Sequence, residues 1–509
     1  MNENLFARIQ ARMPQDRGRL LLETDNGRQL TFRDVEAITA RYAGLMRELG
    51  AKPGDRLAAQ VDKSVESLLL YLACLRAGVA FLPLNTAYRE SEIEYFLADA
   101  EPVILVHSPR DAGWIAPICA RLGISHRFTM GLSDGDRKAE SDWDMRANGA
   151  LPFEGVEVRT GDDLAAILYT SGTTGRSKGA MISHRNLSSN AETLHRYWGF
   201  RPDDVLLHAL PLFHVHGLFV AANTILLNGG RMIFHHKFDA AAVIPALVRS
   251  TVFMGVPTYY TRLLAEKSFN RDACRNMRLF ISGSAPLLAE TFHQFRDRSG
   301  HTILERYGMT ETGMNTSNPL AGERRGGTVG LPLPGIHVRV VDDTLAACPP
   351  GAVGQIQVKG PNVLPGYWRM PDKTREEFTA DGFFKTGDLG IVDAEGYISI
   401  VGRSKDLVIS GGYNIYPKEV ELLLDVQEGV VESAVFGLPH PDFGEAVAAA
   451  LVMKPGAATD EAALLGALKG KLANFKVPKR LFIVDELPRN TMGKVQKNEL
   501  RQRYDGTFR

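Results

Sequence analysis

The stretch Tyr169-Thr-Ser-Gly-Thr-Thr-Gly-Arg-Ser-Lys-Gly179 constrains this chain more than any other. It follows Leu164-Ala-Ala-Ile-Leu168, an apolar run of strand length. From Thr170 to Ser177 every residue is Gly, Ser, Thr or Arg, and Lys178 closes the run. Glycines let a loop bring backbone N–H groups close to an anion, hydroxyls add donors, and a lysine supplies a mobile positive charge. That equipment suits a polyphosphate. The spacing is not that of a Walker A loop, because Lys178 stands between Ser177 and Gly179 where that motif needs Gly-Lys-Ser/Thr. Ala180-Met-Ile182 reads as a second short strand and Ser183 as the N-cap of a following helix. The anion is therefore expected on a strand–loop–strand, not on a helix N-terminus. A plain surface hairpin loop is the competing reading.

At 509 residues the chain is too long for one hydrophobic core, so two or more domains are expected. Its apolar content of 44% and charged content of 23% are those of an ordinary globular enzyme. A formal net charge of +0 leaves no bulk field for nucleic acid or an anionic membrane. Cys74, Cys119, Cys274 and Cys348 lie far apart, make no metal-ligand pair and suit a reducing cytoplasm. The opening Met1-Asn-Glu-Asn-Leu5 lacks the basic-then-apolar pattern of a signal peptide. The apolar run around Leu68 to Leu75 is too short to span a bilayer.

Helical spacing of Val35, Ile38, Tyr42, Leu45 and Met46 before Gly50, a helix over Ser64 to Arg76 and strands at Gly78–Pro83 and Val103–Val106 form an alternating pattern. The alternation predicts an α/β domain with a largely parallel sheet. Residues 131–160 read as an irregular, exposed link. Beyond Ser183 the alternation resumes, with a helix from Asn186, a strand Val205–His208, a helix from Gly217, a strand Arg231–Phe234, a helix from Ala240 and a strand Val252–Met254. From Gly326 to Asp393 short β-branched runs between turns predict a small β-barrel or sheet. The composition changes near residue 403 to an α+β unit of about 100 residues, a usual domain size.

Six further segments carry chemistry. Pro211-Leu-Phe-His-Val-His-Gly217 places His214 and His216 two apart, on one side of the chain if it is extended. A zinc pair is disfavoured because no carboxylate or cysteine stands at ligand spacing; one core and one solvated histidine is the plain reading. Ser282-Gly-Ser-Ala-Pro286 is a turn at a strand end, where open α/β sheets bind ligands. Arg306-Tyr-Gly-Met-Thr-Glu-Thr312 follows the strand Thr302–Leu304 in the same way, with an aromatic face, hydroxyls and a carboxylate able to hold Mg²⁺. Phe384-Lys-Thr-Gly-Asp388 sets an acid in a turn, suited to ribose hydroxyls. Val401 to Asn414 spans the domain boundary, and Pro488-Arg-Asn-Thr-Met-Gly-Lys494 is a loop ending in a lysine. Taken alone, each segment is more simply read as an ordinary turn or solvated linker.

In this order and spacing the segments resemble the AMP-forming adenylating superfamily, which includes acyl-CoA synthetases, over essentially the whole chain. The resemblance implies an α/β fold with a large N-terminal domain, 1–402, of two α/β subdomains plus a small β-barrel. It also implies a small mobile α+β C-terminal domain, 403–509, rotating about a hinge at Lys405. ATP and CoA would be co-substrates and Mg²⁺ the cofactor. The acid attacks the α-phosphorus of ATP, and after domain rotation CoA displaces AMP.

By the same resemblance Thr170, Ser171, Gly172, Thr173, Thr174 and Lys178 hold the phosphates. Ser282, Gly283, Ser284, Ala285, Glu305, Arg306, Tyr307 and Gly308 complete the ATP site, with Tyr307 stacked on adenine. Thr310 touches the α-phosphate, Glu311 binds Mg²⁺, and Asp388 with Arg403 holds the ribose. Lys494 bridges carboxylate and α-phosphate, and Gly411 and Gly412 leave room for pantetheine. A lysine acetyltransferase and deacetylase acting on Lys494 are implied partners, since acetylation would remove its charge.

The runs Pro211–Gly217 and Glu305–Glu311 are similar to those of malonyl-CoA synthetases. A dicarboxylate needs a partner for its second charge, because burying it unpaired costs several kcal/mol. Arg306, with His214, His216, Ser282 and Met309, is the candidate set, and arginine matches a carboxylate bidentately. Pairing of Arg306 with a protein acid such as Glu305 is the opposing reading. Methylmalonate, another small, aryl or medium-chain acid, and a carrier-protein thiol in place of CoA remain alternatives.

Overall fold

Strands such as Ala80–Pro83 and Ile104–His107 are buried along their whole length, as parallel strands are when helices cover both faces of a sheet. In this computed structural model, which describes residues 2–131, 141–170, 177–410, 413–457, 461–469 and 471–508, two such sheets form. One has six strands in the order His126–Thr129, Ile104–His107, Arg56–Gln60, Ala80–Pro83, Leu164–Thr170 and Lys178–Ser183. All its neighbours are parallel except the last pair, which is antiparallel and flanks the phosphate loop. The second sheet has nine strands, running from Leu331–Pro332 through Gly313–Ser317, Leu304–Met309, Leu279–Ser282, Val252–Gly255, Val205–His208, Arg231–Phe234 and Leu20–Thr24 to Gln29–Thr31. Its central pairs are parallel and its edges antiparallel. The two α/β layers are those that the alternation predicts.

Local capping sets where the helices begin. Thr31 with Asp34, Ser64 with Ser67 and Ser183 with Asn186 each close a capping box, at the heads of Phe32–Glu48, Val65–Ala77 and His184–Tyr197. The helix after the phosphate loop thus starts two residues before the expected Asn186, with Ser183 as its cap.

The expected exposed link at 131–160 is corrected over its described part. Ser141 caps a helix, Asp142–Gly149, whose Trp143 is fully buried and meets Tyr42 and Phe128 edge-on. One large aromatic anchors a segment that is otherwise polar, so apolar periodicity did not reveal it. The helix expected from Gly217 begins instead as a π-helix, His216–Ala222, and continues as Asn223–Asn228.

Val338–Gln357 and Lys385–Arg509 form a second compact unit, separate from Met1–His337 with Val358–Phe384. This division by packing differs from the 402/403 boundary drawn from sequence, which concerns the piece expected to rotate. Where a small β-barrel or sheet was expected, four strands, His337–Val341, Gly354–Lys359, Phe384–Val392 and Ile398–Arg403, hydrogen-bond in that order. The remainder of the second unit is a five-stranded sheet covered by Pro417–Asp425 and Glu461–Lys469, with Val420, Leu424, Val435, Leu451, Leu464 and Leu468 in its core. Among the described residues no helix is long and apolar enough to cross a membrane.

Candidate active site

In the first unit Thr170 and Lys178 face each other across the antiparallel ladder at the mouth of the phosphate loop. Ser171, Gly172, Thr173 and Thr174 lie outside the described residues. Thr170 Oγ1 and the Tyr367 hydroxyl each donate to Glu311 Oε1, both at 3.2 Å. Lys178 is buried, with Nζ 3.1 Å from Glu377 Oε1 and 4.3 Å from the centre of the Tyr367 ring. Burial and the Glu311 charge both push the Tyr367 phenol up, so it remains a hydrogen-bond donor. Tyr95 steadies the loop exit by donating to the Ser177 carbonyl at 2.8 Å.

Glu311 is the residue assigned to Mg²⁺. It occupies the turn between strands Leu304–Met309 and Gly313–Ser317, together with Thr310. Among the described residues no three His, Cys, Asp or Glu side chains converge as a metal site. One buried carboxylate beside a threonine hydroxyl fits the hard oxygen donors that Mg²⁺ takes.

Of the acid-binding candidates, Ser282, Arg306 and Met309 lie on the neighbouring parallel strands Leu279–Ser282 and Leu304–Met309, and His216 is near enough to feel the Arg306 charge. Ser282 ends Leu279–Ser282 and pairs in register with Glu305 on Leu304–Met309. Arg306 is 3% exposed, and its Nε and Nη2 make no hydrogen bond among the described residues. Ser282 Oγ and His216 Nε2 are likewise buried and unpartnered there. Burial lowers the Arg306 guanidinium to about 9, with Tyr260 and Glu305 opposing, and it is still a cation at neutral pH.

His216 is held well below its usual range, first by burial and then by the Arg306 charge, so it is a neutral imidazole. Its Nδ1 lies 3.2 Å from Ser284 Oγ, and Ser284 has a left-handed φ of 73°, a strained conformation for a serine. The strand-like pairing expected for His214 and His216 is corrected: they sit in a turn and at the head of the π-helix, and His214 Nδ1 accepts from the His216 backbone N–H at 3.2 Å. A π-turn adds a residue to the helical repeat and so re-aims the side chains that follow.

Glu305 does not pair with Arg306. Its Oε1 accepts from the Leu287 backbone N–H at 3.2 Å, tying down the Ser282–Pro286 turn that also carries Gly283 and Ala285. Tyr307 and Met309 lie on the same strand, half-buried, and at Gly308 a side chain would strike the Gly313 carbonyl.

In the second unit Asp388 lies within the strand Phe384–Val392, not in a turn as expected. Gly387, at φ 70°, supplies the turn-like signal that misled the sequence reading. Asp388 and Arg403 are register partners, and Arg403 Nε is 2.8 Å from Asp388 Oδ1, so the structure unites the two expected ribose residues. Lys405 is exposed in the single turn Ser404–Asp406, directly after the strand Ile398–Arg403. Gly411 and Gly412 lie outside the described residues.

Lys494 projects from a tight loop. Asn490 Oδ1 accepts from the backbone N–H groups of Met492 and Lys494, both at 3.0 Å, and Arg489 joins Glu432 and donates to the Gly493 carbonyl. The Lys494 ammonium is lowered to about 8. Loss of hydration is the main cause and the Arg403 cation the next, with Asp388 opposing.

Sequence reasoning did not find the braces: Glu377 and Tyr367 on Lys178, Ser284 on His216, and Asn490 on Lys494. It also missed Lys63, whose Nζ contacts His208 Nδ1 at 2.9 Å while His208 Nε2 lies 2.9 Å from the Gly217 carbonyl at the π-helix. Only the Asn490-x-x-Gly493 turn chemistry left a readable local signal.

Strand-end loops lined with hydroxyls and cations, on two α/β sheets with a separate α+β unit, define an anion-handling transferase or ligase. The description "AMP-binding enzyme" matches residues 7–368 and "AMP-binding enzyme C-terminal domain" matches 419–494, and the chain belongs to this family. It is similar to the crystal structure of ATP-bound MatB from Rhodopseudomonas palustris, at 53% identity with a TM-score of 0.96 over 100% of both chains. It is 36% identical to a malonate–CoA ligase of Arabidopsis thaliana over 91% of this chain and 80% of that one. It is also 36% identical to a feruloyl-CoA synthase of Amycolatopsis over 94% of each. The protein is an AMP-forming acid–CoA ligase, with the mixed α/β fold of a large N-terminal and a smaller C-terminal domain.

Proposed function

We propose that the enzyme joins malonate to coenzyme A through malonyl-AMP, and accepts methylmalonate by the same contacts. The observation that carries this is the buried Arg306 cation, which has no acid partner among the described residues and whose charge is felt by the buried, neutral His216. A monocarboxylic or aryl acid would leave that cation desolvated and unpaired, a cost of several kcal/mol. Identity alone does not choose between acids, since malonate and ferulate ligases stand equally near.

In the first half-reaction a carboxylate oxygen attacks the α-phosphorus, the bond to pyrophosphate breaks, and malonyl-AMP forms. Lys178 and Thr170, with the loop between them, hold the phosphates, and Tyr307 takes the adenine. Thr310 contacts the α-phosphate, and Asp388 with Arg403 takes the ribose. Glu311 would hold Mg²⁺, which shields phosphate charge when bound. Lys494 offsets the charge of the two anions brought together, which is positioning and electrostatic catalysis. In the second half-reaction the CoA thiol attacks the acyl carbon and AMP leaves. The piece beyond residue 403 rotates about Lys405 between the two steps. Acetylation of Lys494 by an acetyltransferase, reversed by a deacetylase, would switch off only the first. Four free cysteines suit a reducing compartment such as the cytoplasm.

Pyrophosphate release with ATP, CoA and a panel of mono-, di- and aryl carboxylic acids tests the substrate. Malonate is expected to have the highest kcat/KM; a monocarboxylic or aryl acid used about tenfold better would reject the proposal. The pH profile supplies a second check. Lys494 acts as a cation, so kcat/KM for adenylation is expected to fall as pH rises through about 8, where an unperturbed lysine would hold its proton to much higher pH. Asp388→Asn removes the one nearby charge that favours the ammonium most, and should move that fall to lower pH.

A further inference from the structure

Most glycines in tight places are there for the backbone. Gly330 has a left-handed φ of 80°, and at Gly308 the obstacle to a side chain is a carbonyl oxygen. Gly283 is different. Its φ is not left-handed, so its backbone makes no demand for glycine. What fills the space beside its Cα is the Arg306 guanidinium: a Cβ built there would fall 2.5 Å from Cζ and 2.7 Å from Nε, with Nη1 nearer still. No other group comes as near. The planar cation lies against the bare Cα, one residue beyond the point where Ser282 and Glu305 pair in register.

We infer that Gly283 is a specificity-determining residue of this ligase: its missing side chain is the seat of the Arg306 guanidinium, and any larger residue pushes that cation out of the position from which it meets the distal carboxylate of the acid. The obstacle is the far end of a long side chain and not backbone, so the fold can yield while the guanidinium cannot keep its place. Arg306 is enclosed, with Tyr260 fully buried nearby and donating to the Ile281 carbonyl at 2.6 Å. Displacement therefore turns its fork away from the acid and does not release it to water. Misplacing a bidentate donor by about 1 Å is enough to lose most of its contribution. This rests on the proposal that Arg306 binds the second carboxylate.

The test is a double-mutant cycle with Gly283→Ala, Arg306→Ala and both together, measuring kcat/KM for malonate and for propionate. Gly283 belongs to a loop also assigned to ATP, so the quantity read is the malonate-to-propionate ratio, in which any effect on ATP cancels. Gly283→Ala is expected to lower that ratio at least about tenfold, chiefly through the KM for malonate. The double variant should match Arg306→Ala within about twofold, because the alanine at 283 has nothing left to displace.

Equal loss of both acids in Gly283→Ala, or a double variant well below Arg306→Ala, overturns the inference. If Gly283→Ala alone does not fold, a folded and active double variant supports the seat, and a double variant that also fails overturns it. If Arg306→Ala itself leaves the ratio unchanged, the malonate proposal fails, which is a separate result.

Discussion

Lys494→Ala is expected to slow pyrophosphate release from ATP and malonate by about a hundredfold to a thousandfold, the usual cost of removing one donor aimed at developing transition-state charge. The same variant, given synthetic malonyl-AMP and CoA, is expected to form the thioester at close to the unaltered rate. The split is the informative part. A lysine that merely stabilised the second unit would depress both half-reactions, whereas a group withdrawn before the thiol attacks affects only the first. Lys494→Gln should behave like the alanine variant, because it removes the charge as acetylation would. Asn490→Ala gives the graded version: it frees the Met492 and Lys494 N–H groups that hold the loop, and should lower the first step alone. Unimpaired adenylation by Lys494→Ala would refute the role given to this lysine.

Arg306→Ala is expected to reduce kcat/KM for malonate by about a hundredfold, equivalent to about 3 kcal/mol for stripping one partner from a desolvated ion pair. Activity with propionate should fall far less. The folded state offers an independent check. Arg306 is buried with two unpartnered nitrogens, so Arg306→Met, which keeps the volume and removes the charge, should raise the melting temperature of the ligand-free protein. Malonate should stabilise the unaltered protein and leave the Met variant unmoved. Equal loss of all acids, with a lower melting temperature, would make Arg306 a structural residue and remove the case for a dicarboxylate.

Much of the fold was legible because it is local. The strand Arg231–Phe234 and the start of the helix at Ala240 are where the alternation of apolar runs puts them, and Ser183 announces its helix as an N-cap. Where single residues outweigh the local pattern, the sequence misled. Trp143 buries a helix inside a polar tract, and Gly387 puts a turn signal inside the strand that carries Asp388. Strand order was not legible at all, since Leu20–Thr24 pairs with Arg231–Phe234 from two hundred residues away.

The chemistry divides in the same way. The chain's own order of residues determined which groups were available: a hydroxyl- and glycine-rich loop closed by Lys178, the Glu305–Glu311 run, and a lysine at 494. Only the tertiary structure decided which of them are already engaged. Glu305 and Arg306 are adjacent, and on sequence alone they are a natural ion pair. They occupy one strand, where successive side chains point to opposite faces. Glu305 therefore turns to the Leu287 N–H, and Arg306 is buried on the other side with no acid of its own.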